Sequence, residues 1–526
     1  MADEWTSLHC ALHCTPETAD AFLTGELAQL LEAHGADWFF IRYGEGGPHL
    51  RIRVRGAAAH LAGPLADLAA KLPSIAGPWP STHGDVHEVP YMPETARYGG
   101  VAALPIAEEV FVHSTRVALR AIAQTPRRAA RLTTATDLAV VTALALGPGE
   151  AGAAQWLRRH ARGWQHAENV ELLPAHRIHT HVNSAYSLQR ESLVRRVRHL
   201  AAAGGSLPGP LGDWYRVVRD ADTCLRAETE LDDDRRRWVW ASQLHMLCNR
   251  LGIVPDEERA LCHLAARALL DGADADSYFP AGADAPDLRY LERSKFHIGR
   301  RSDSASRETQ PHAPVGGTPL PSNPLPDITL HEALTRRVST RGQLAGPMTA
   351  ADLGTLLWNS FAETHHTGSR PHRPYPSAGA LYTARLRVFA LEVEGVEPGC
   401  YEAVPAERSL LRVGGLPATD DLKALSPYFT RTADDTFAVG LDRAPALLGL
   451  YADLGLLRRR YGLRALRLGL LEAGHLAQTL LLAAAALDLA CTPVNGINDD
   501  LAHELFGLDD LEQPLQYLLP LGRRTA

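Results

Sequence analysis

Two α+β domains joined by a proline-rich segment are what these 526 residues predict, on three observations. The length suits two to four domains at about 150 residues each. With 45% hydrophobic and 22% charged residues, the chain resembles an ordinary globular protein with a sizeable core. From Gly299 to Asp327 it carries Arg-Arg-Ser-Asp-Ser-Ala-Ser-Arg, then Pro311, Pro314, Pro319, Pro321, Pro324 and Pro326, without apolar periodicity. Such a composition buries too little surface to offset its ordering entropy, so a flexible, partly extended linker is expected over 299–327. Alternating strand patterns and helical periodicities on either side give domains at 1–298 and 328–526.

In the first domain a strand is expected near Trp5–His13. Thr15-Pro16-Glu17 starts a helix, and Gly35 follows its last turn. Trp38–Tyr43 and His49–Arg55 are strands. Gly44–Pro48 between them reads as a turn and not a phosphate loop, because no helix follows it. Alternation in His49–Arg55 puts Leu50, Ile52 and Val54 on one face and Arg51, Arg53 and Arg55 on the other. The pattern from Ala107 to about Leu270 is mostly helical. In the second domain, helices are expected at Leu330–Arg337 and after Met348–Asp352, with strands at Arg385–Val393 and Cys400–Val404. Long helices are expected at Ala444–Arg459 and Leu468–Leu487, and short apolar strands near Cys491 and at Gln516–Leu521.

Composition excludes several function classes. With 53 basic and 61 acidic residues the net charge is −8, so no basic field exists to hold nucleic acid. The only lysines are Lys71, Lys295 and Lys423, which removes most candidates for a catalytic amine. Seven scattered cysteines without a CxxC pair indicate neither structural zinc nor a disulfide scaffold, and Cys10 and Cys14 suit packing. His176, His179 and His181 lie close together in a segment that reads as irregular, without an i, i+4 pair or a nearby thiol, so no metal site is assigned. The amino terminus lacks signal-peptide features, and Leu476–Ala490 is too short to span a bilayer; a cytoplasmic location is expected.

The chemistry of the first half starts from guanidinium groups. If their strand face lines a cleft, Arg51 and Arg53 form a clamp for carboxylates, since each offers a planar fork; otherwise they cover a solvated strand. Further segments add to them: Tyr91-Met-Pro-Glu94-Thr-Ala-Arg97-Tyr-Gly-Gly100 and His245-Met-x-x-Asn249-Arg250-Leu251. Together with Trp38-Phe-Phe-Ile-Arg-Tyr43 and His49-Leu-Arg-Ile-Arg53, they resemble the elimination domain of lantibiotic dehydratases, in the stand-alone form of thiopeptide biosynthesis, over about residues 1–295. The resemblance implies a lyase that expels glutamate from glutamylated Ser or Thr of a ribosomal peptide, leaving a dehydroamino acid. It assigns Arg51, Arg53 and Arg97 to the glutamyl carboxylates and the developing enolate, Glu94 to orienting an arginine, and His245 to proton transfer. No glutamylation domain precedes this one, so a separate tRNA-dependent enzyme is expected to install the glutamyl group.

In the second half, Arg337-Val-Ser339-Thr-Arg341, Pro374-Tyr-Pro-Ser377-Ala-Gly379, Glu472-Ala-Gly-His475-Leu-Ala-Gln478, Thr492-Pro-Val-Asn-Gly496 and Leu521-Gly-Arg523 are each weak signals. Together they resemble the nitroreductase-like flavoproteins, and within them the azoline dehydrogenases of azole-containing peptide pathways. The resemblance implies FMN and a homodimer with flavin at the subunit interface. Arg337, Ser339 and Arg341 match positions that contact phosphate, ribityl or ring oxygens. Ser377 and Gly379 fall in the cofactor-lining turn, with Gln478 on the following helix motif. Gly496 matches the position whose backbone N–H faces the flavin N5 region, and Arg523 meets the phosphate. A Lys-Tyr pair usual in these dehydrogenases is here Arg460-Tyr461. Arg460 can stabilise negative charge but not accept a proton, which leaves Tyr461 as the candidate base; a buried tyrosine at a helix end is the plainer reading.

The fused pair resembles the bifunctional enzymes of lactazole-type thiopeptide pathways. A leader-bearing precursor peptide is the implied substrate, with an azoline-forming cyclodehydratase as a further partner and no direct contact with nucleic acid or membrane. Two other readings keep the flavin domain but make the first half a [4+2] pyridine synthase or a non-catalytic peptide-binding module. The clustered Arg51, Arg53, Glu94, Arg97 and His245 favour elimination, because a neutral cycloaddition needs no glutamate clamp.

Overall fold

A computed structural model describes residues 4–147, 149–164, 170–271, 286–295, 315–367, 370–432 and 435–524. The chain divides into two compact units, Met1–Leu173 with Thr180–Ala273, and Pro174–His179 with Asp274–Ala526.

The first unit opens with β1 (Trp5–Ala11). Thr15 caps α1 (Pro16–Phe22), its hydroxyl accepting from the Thr18 N–H. The helical run continues through a π-turn at Leu23–Leu27 into α2 (Ala28–His34) and ends at left-handed Gly35. After β2 (Trp38–Tyr43) and β3 (His49–Arg55) come α3 (Ala62–Ala69) and β4 (Val86–Glu88), and the antiparallel sheet runs β2-β3-β1-β4. Leu8, Cys10, Trp38, Phe40, Leu50, Ile52 and Val54 sink from one face against Phe22, Leu23, Leu27, Leu31 and Leu65. Register sets Arg51 between His9 and Ile41, and Arg53 between Ser7 and Phe39, on the other face. The helices α4 (Leu104–Gln124), α5 (Arg128–Ala145), α6 (Gly149–Gly163), α7 (Ala175–Ala203), α8 (Gly209–Glu228), α9 (Asp233–Arg250) and α10 (Pro255–Leu270) follow. Helix α7 corrects the irregular segment expected around His176, His179 and His181. Its buried Ile178, Val182, Tyr186, Val194, Val197 and Leu200 recur at helical spacing among many polar residues.

The second unit holds α11 (Pro286–Arg293), β5 (Thr318–Pro319), α12 (Leu330–Arg336), β6 (Gly342–Ala345), α13 (Ala350–Phe361), β7 (His365–Thr367) and β8 (Arg370–His372). Next come β9 (Ala384–Ala390), β10 (Gly399–Val404), β11 (Ser409–Gly414), α14 (Thr419–Ala424), β12 (Val439–Gly440) and β13 (Ala446–Ala452). It closes with α15 (Leu454–Tyr461), α16 (Ala465–Ala486), β14 (Ala490–Cys491), α17 (Asp499–Phe506) and β15 (Leu515–Arg524). Its main sheet runs β12-β6-β15-β13-β9-β10-β11-β5, with β14 on β15. Helix α11, placed by sequence before the linker, belongs here: the Tyr290 hydroxyl donates to the Leu463 carbonyl and accepts from the Arg467 N–H.

Two sequence expectations change. Residues 299–314 of the expected linker lie outside the described residues, whereas from Gly316 the chain is tied to the sheet. Ser409 Oγ donates to the Gly316 carbonyl, β5 pairs with β11, and Trp358 Nε1 donates to the Leu320 carbonyl. The helix expected from Ala444 is also replaced, over Ala446–Ala452, by strand β13. Covered on both faces, with Leu448 and Leu450 in one core and Leu447 and Tyr451 in another, it is apolar throughout and shows no period. Among the described residues, Leu454–Ala486 is the one helical run long and apolar enough to cross a membrane by length and composition, and half of its apolar window is buried in the fold.

A Cβ on Gly449 of β13 would lie 2.7 Å from Cε1 of buried Phe506. Gly449→Val is therefore expected to destabilise the second unit by about 1–3 kcal/mol, read as a lower urea midpoint for its unfolding.

Candidate functional site

On the arginine-bearing face of the first unit's sheet lies a cavity of about 930 Å³, lined by Arg51, Arg53, Glu94, Arg97 and His245. Strand β3, the loop that carries Glu94 and Arg97, and helix α9 thus bring all five first-half site residues to one place. The Arg51 guanidinium carbon sits 3.3 Å from the centre of the Tyr43 ring, and its Nε donates to His49 Nε2 at 3.2 Å. Arg53 is buried; its Nη1 donates to the Arg51 carbonyl at 3.1 Å, while its Nε has no hydrogen-bond partner among the described residues. No carboxylate pairs with either among the described residues. Burial, with Arg51 adding to it, pushes the Arg53 guanidinium down to about 10. Arg55, on the same strand face, is instead paired with Glu109 and lies 4.9 Å from the Trp5 ring centre.

Glu94 Oε2 accepts from Arg97 Nη1 at 2.9 Å, and Arg97 Nε donates to Ser242 Oγ at 3.2 Å. Ser242, His245 and Asn249 follow one another at helical spacing along α9. Asn249 fastens this helix to β2, accepting from the Arg42 N–H and donating to its carbonyl, both at 2.9 Å. His245 Nδ1 is 3.0 Å from Oε2 of Glu258, and the other oxygen of that carboxylate is 2.6 Å from His160 Nε2. Glu258 is fully buried. Burial opposes its ionisation, yet the two imidazoles outweigh burial and bring the carboxyl down to about 2. With the carboxylate accepting at Nδ1, Nε2 is the nitrogen left to move protons. Trp164 meets the His245 ring edge-on at 4.7 Å.

Glu258 and His160 are functional candidates that sequence reasoning missed. Asp256-Glu257-Glu258 reads as an ordinary acidic first turn. The available signal was position: Glu258, Leu261, Cys262 and Ala265 occupy one buried stripe of α10, where a lone carboxylate needs a partner.

In the second unit the expected residues fall into two groups. One gathers where β6, β14 and β15 meet: Ser339 bridges Cys491, Thr492 Oγ1 donates to the Thr340 carbonyl, and Arg523 pairs with Ala345. The Arg341 guanidinium carbon is 5.9 Å from the ring centres of both Tyr428 and Phe437. Gly496 packs against Tyr428 so closely that a Cβ would lie 2.9 Å from Cε2. Arg337 ends α12. Among the described residues Arg337, Arg341 and Arg523 have no carboxylate partner. Cations left unmatched by carboxylates among the described residues fit a phosphate-bearing cofactor such as FMN.

The second group surrounds Gly379, at φ 63°, where a Cβ would fall 2.5 Å from Tyr461 Oη and 3.1 Å from the Arg460 guanidinium carbon. Glycine here lets the end of α15 close on the turn. The hydroxyl of Ser377 serves the fold, donating to Glu472 Oε2 at 2.6 Å and accepting from the Tyr382 N–H at 2.8 Å. Buried Glu472 also accepts from Thr383 Oγ1 and the Ala384 N–H. Gln478 is exposed on α16 and hydrogen-bonds to neither group.

A family model described as lantibiotic biosynthesis dehydratase C-term matches residues 5–269, and the nitroreductase family model matches residues 334–523. A nitroreductase-family protein of Methanocaldococcus jannaschii is 31% identical over 205 residues, covering 38% of this chain and 95% of that relative. Among solved structures, the pyridine synthase TbtD from thiomuracin biosynthesis is 23% identical, covering 51% of this chain and 98% of its own, with a TM-score of 0.40. The tRNA-dependent lantibiotic dehydratase MibB from Microbispora sp. 107891 is 25% identical, with a TM-score of 0.37; the match covers 51% of this chain but 28% of MibB.

Because Glu258 titrates at about 2 instead of its ordinary 4.5, its pairing stabilises the fold above about 4.5, and that contribution is lost as pH falls toward about 2. Glu258→Gln is expected to cost about 3–5 kcal/mol at neutral pH. Acid titration followed by circular dichroism should show a flatter loss of stability between those two pH values; an unaltered acid limb would refute the assignment.

Proposed function

Since the chain belongs to the lantibiotic biosynthesis dehydratase C-terminal family over residues 5–269 and to the nitroreductase family over residues 334–523, we propose that it is a bifunctional peptide-modifying enzyme. Its first unit eliminates glutamate from glutamylated Ser or Thr, and its second oxidises azolines to azoles with FMN, as in lactazole-type thiopeptide biosynthesis. The observation that carries the reading is the convergence of Arg51, Arg53, Glu94, Arg97 and His245 on one cavity.

In the elimination, the Cα proton of the esterified residue leaves to a base. The C–H electron pair becomes the Cα=Cβ bond, and the Cβ–O bond breaks to release glutamate as a carboxylate. His245 Nε2, oriented from behind by Glu258, is the atom that moves the proton. Negative charge grows first on the peptide carbonyl and then on the leaving group. Arg51, Arg53 and Arg97 stabilise it, with Arg97 held by Glu94 and Ser242. Their cationic forks also select for a substrate bearing carboxylates.

In the second unit, FMN when bound supplies the two-electron acceptor that azoline aromatisation requires. Arg337, Arg341 and Arg523 would hold its phosphate and polar edge, and the Gly496 backbone N–H would face its ring. Tyr461, as the phenolate, takes the acidic ring proton at Oη and becomes the phenol, while the neighbouring Arg460 guanidinium, which is not a base, stabilises the anionic form. The substrate is a leader-bearing precursor peptide. A tRNA-dependent glutamylating enzyme and an azoline-forming cyclodehydratase act beside this chain, which works as a homodimer through its flavin unit.

Mass spectrometry of a glutamylated peptide after incubation with the purified protein tests the first activity. Loss of glutamate is expected; a macrocycle would indicate a pyridine synthase, and an unchanged peptide a binding module. Arg97→Ala should abolish glutamate release and leave azoline oxidation intact, whereas loss of both would refute independent sites. Tyr461→Phe should slow oxidation about a hundredfold in a preparation that stays yellow. An undiminished rate would remove Tyr461 as the base, and a colourless wild-type protein would overturn the flavin assignment.

A further inference from the structure

On the same sheet face as Arg53, beyond the Phe39 ring, lies a deeper guanidinium. Arg250, the last residue of α9, is 0% exposed, and its Nε, Nη1 and Nη2 all lack hydrogen-bond partners among the described residues. Buried Arg131 and Arg236 of this unit are paired with carboxylates, Asp20 and Asp222 respectively. Arg250 meets aromatic rings instead, its guanidinium carbon 5.4 Å from the centre of Phe111 and 6.0 Å from that of Phe39. Arg53 stands 6.0 Å from the same Phe39 ring, with its own Nε buried and unpartnered. Phe39, Phe111 and Arg53 all line the cavity.

Removing a cation from water without a counter-ion or a full set of acceptors is costly, and ring faces return only part of that cost. Burial pushes Arg250 down to about 9, with the charge of Arg53 acting in the same direction. The pair is a positive centre waiting for an anion. Resting on the elimination reading of this cavity, we propose that Arg250 is the deep member of an arginine pair whose charge is matched only when a carboxylate of the ligand binds at Arg53. The free chain then carries an uncompensated cation, and the bound glutamyl carboxylate relieves it. Arg250 acts through Arg53 and the ring wall, since its own nitrogens are sealed from the cavity; it is a positioning residue.

The test measures binding without turnover, on the full chain, with L-glutamate and glutarate as probes in thermal-shift and calorimetric titrations. Both dicarboxylates are expected to raise the melting temperature of the wild type. Arg250→Met and Arg250→Gln should melt higher than wild type when free, yet bind glutamate about tenfold more weakly, the scale of one lost charge-assisted interaction. Arg250→Lys should keep most of the affinity, and with glutamylated peptide the neutral variants should lose in KM more than in kcat. Wild-type affinity in the neutral variants would overturn the proposal. So would failure of both neutral variants to fold, because the charge would then be structural. A chain that binds glutamate through this pair but releases none from glutamylated peptide sinks the elimination reading and leaves this inference standing. Glutamate release with affinity indifferent to Arg250 does the reverse.

Discussion

Positive charge left without a carboxylate organises both candidate sites. Several other arginines of the first unit are matched: Arg42 and Arg131 share Asp20, Arg196 meets Asp137, and Arg236 meets Asp222. Arg51, Arg53 and Arg250 are not, and in the second unit neither are Arg337, Arg341 and Arg523 among the described residues. Guanidinium groups gathered without a carboxylate hold electrostatic attraction ready for an entering anion. The first unit does so for carboxylates, and the second for a phosphate-bearing cofactor.

Holding such charge in place requires rigid surroundings, because like charges repel. In the first unit the rigidity comes from β3. Its alternate residues Leu50, Ile52 and Val54 are locked into a helix-covered core, so Arg51 and Arg53 cannot turn away without unburying that core. Asn249 pins α9 to β2 through the oxygen and the nitrogen of its side-chain amide, which sets the depth of His245 relative to the arginines. Glu258 completes the arrangement from below. Its buried charge is sustained only because two imidazoles face it, and it aims one of them at the cavity.

The second unit solves a different problem, that of bringing a phenol to an exposed turn. Glu472 anchors the turn through Ser377, Thr383 and the Ala384 N–H, and Gly379 clears the space that Tyr461 and Arg460 fill. The hydroxyl of Ser377, expected beside the cofactor, is consumed in that anchoring. One carboxylate on α16 thus fixes the turn against which α15 ends.

Local pattern was enough for the strands Trp38–Tyr43 and His49–Arg55, the helix start at Thr15-Pro16, and the side of β3 that carries arginine, because a period of two and a capping signal are properties of neighbouring residues. Motif order was enough to name the five residues of the first cavity. Where period vanished, reading failed: β13 is buried on both faces and looked helical, and α7 hid its apolar stripe among histidines and arginines. The ties of residues 316–320 to the sheet were equally invisible, since proline-rich composition does not disclose a strand added at a sheet edge. Composition and order determined which side chains could do chemistry. Only the tertiary structure decided that Glu258 stands behind His245 and that Arg250 has no counter-ion, because both depend on which groups from distant segments share a space without water.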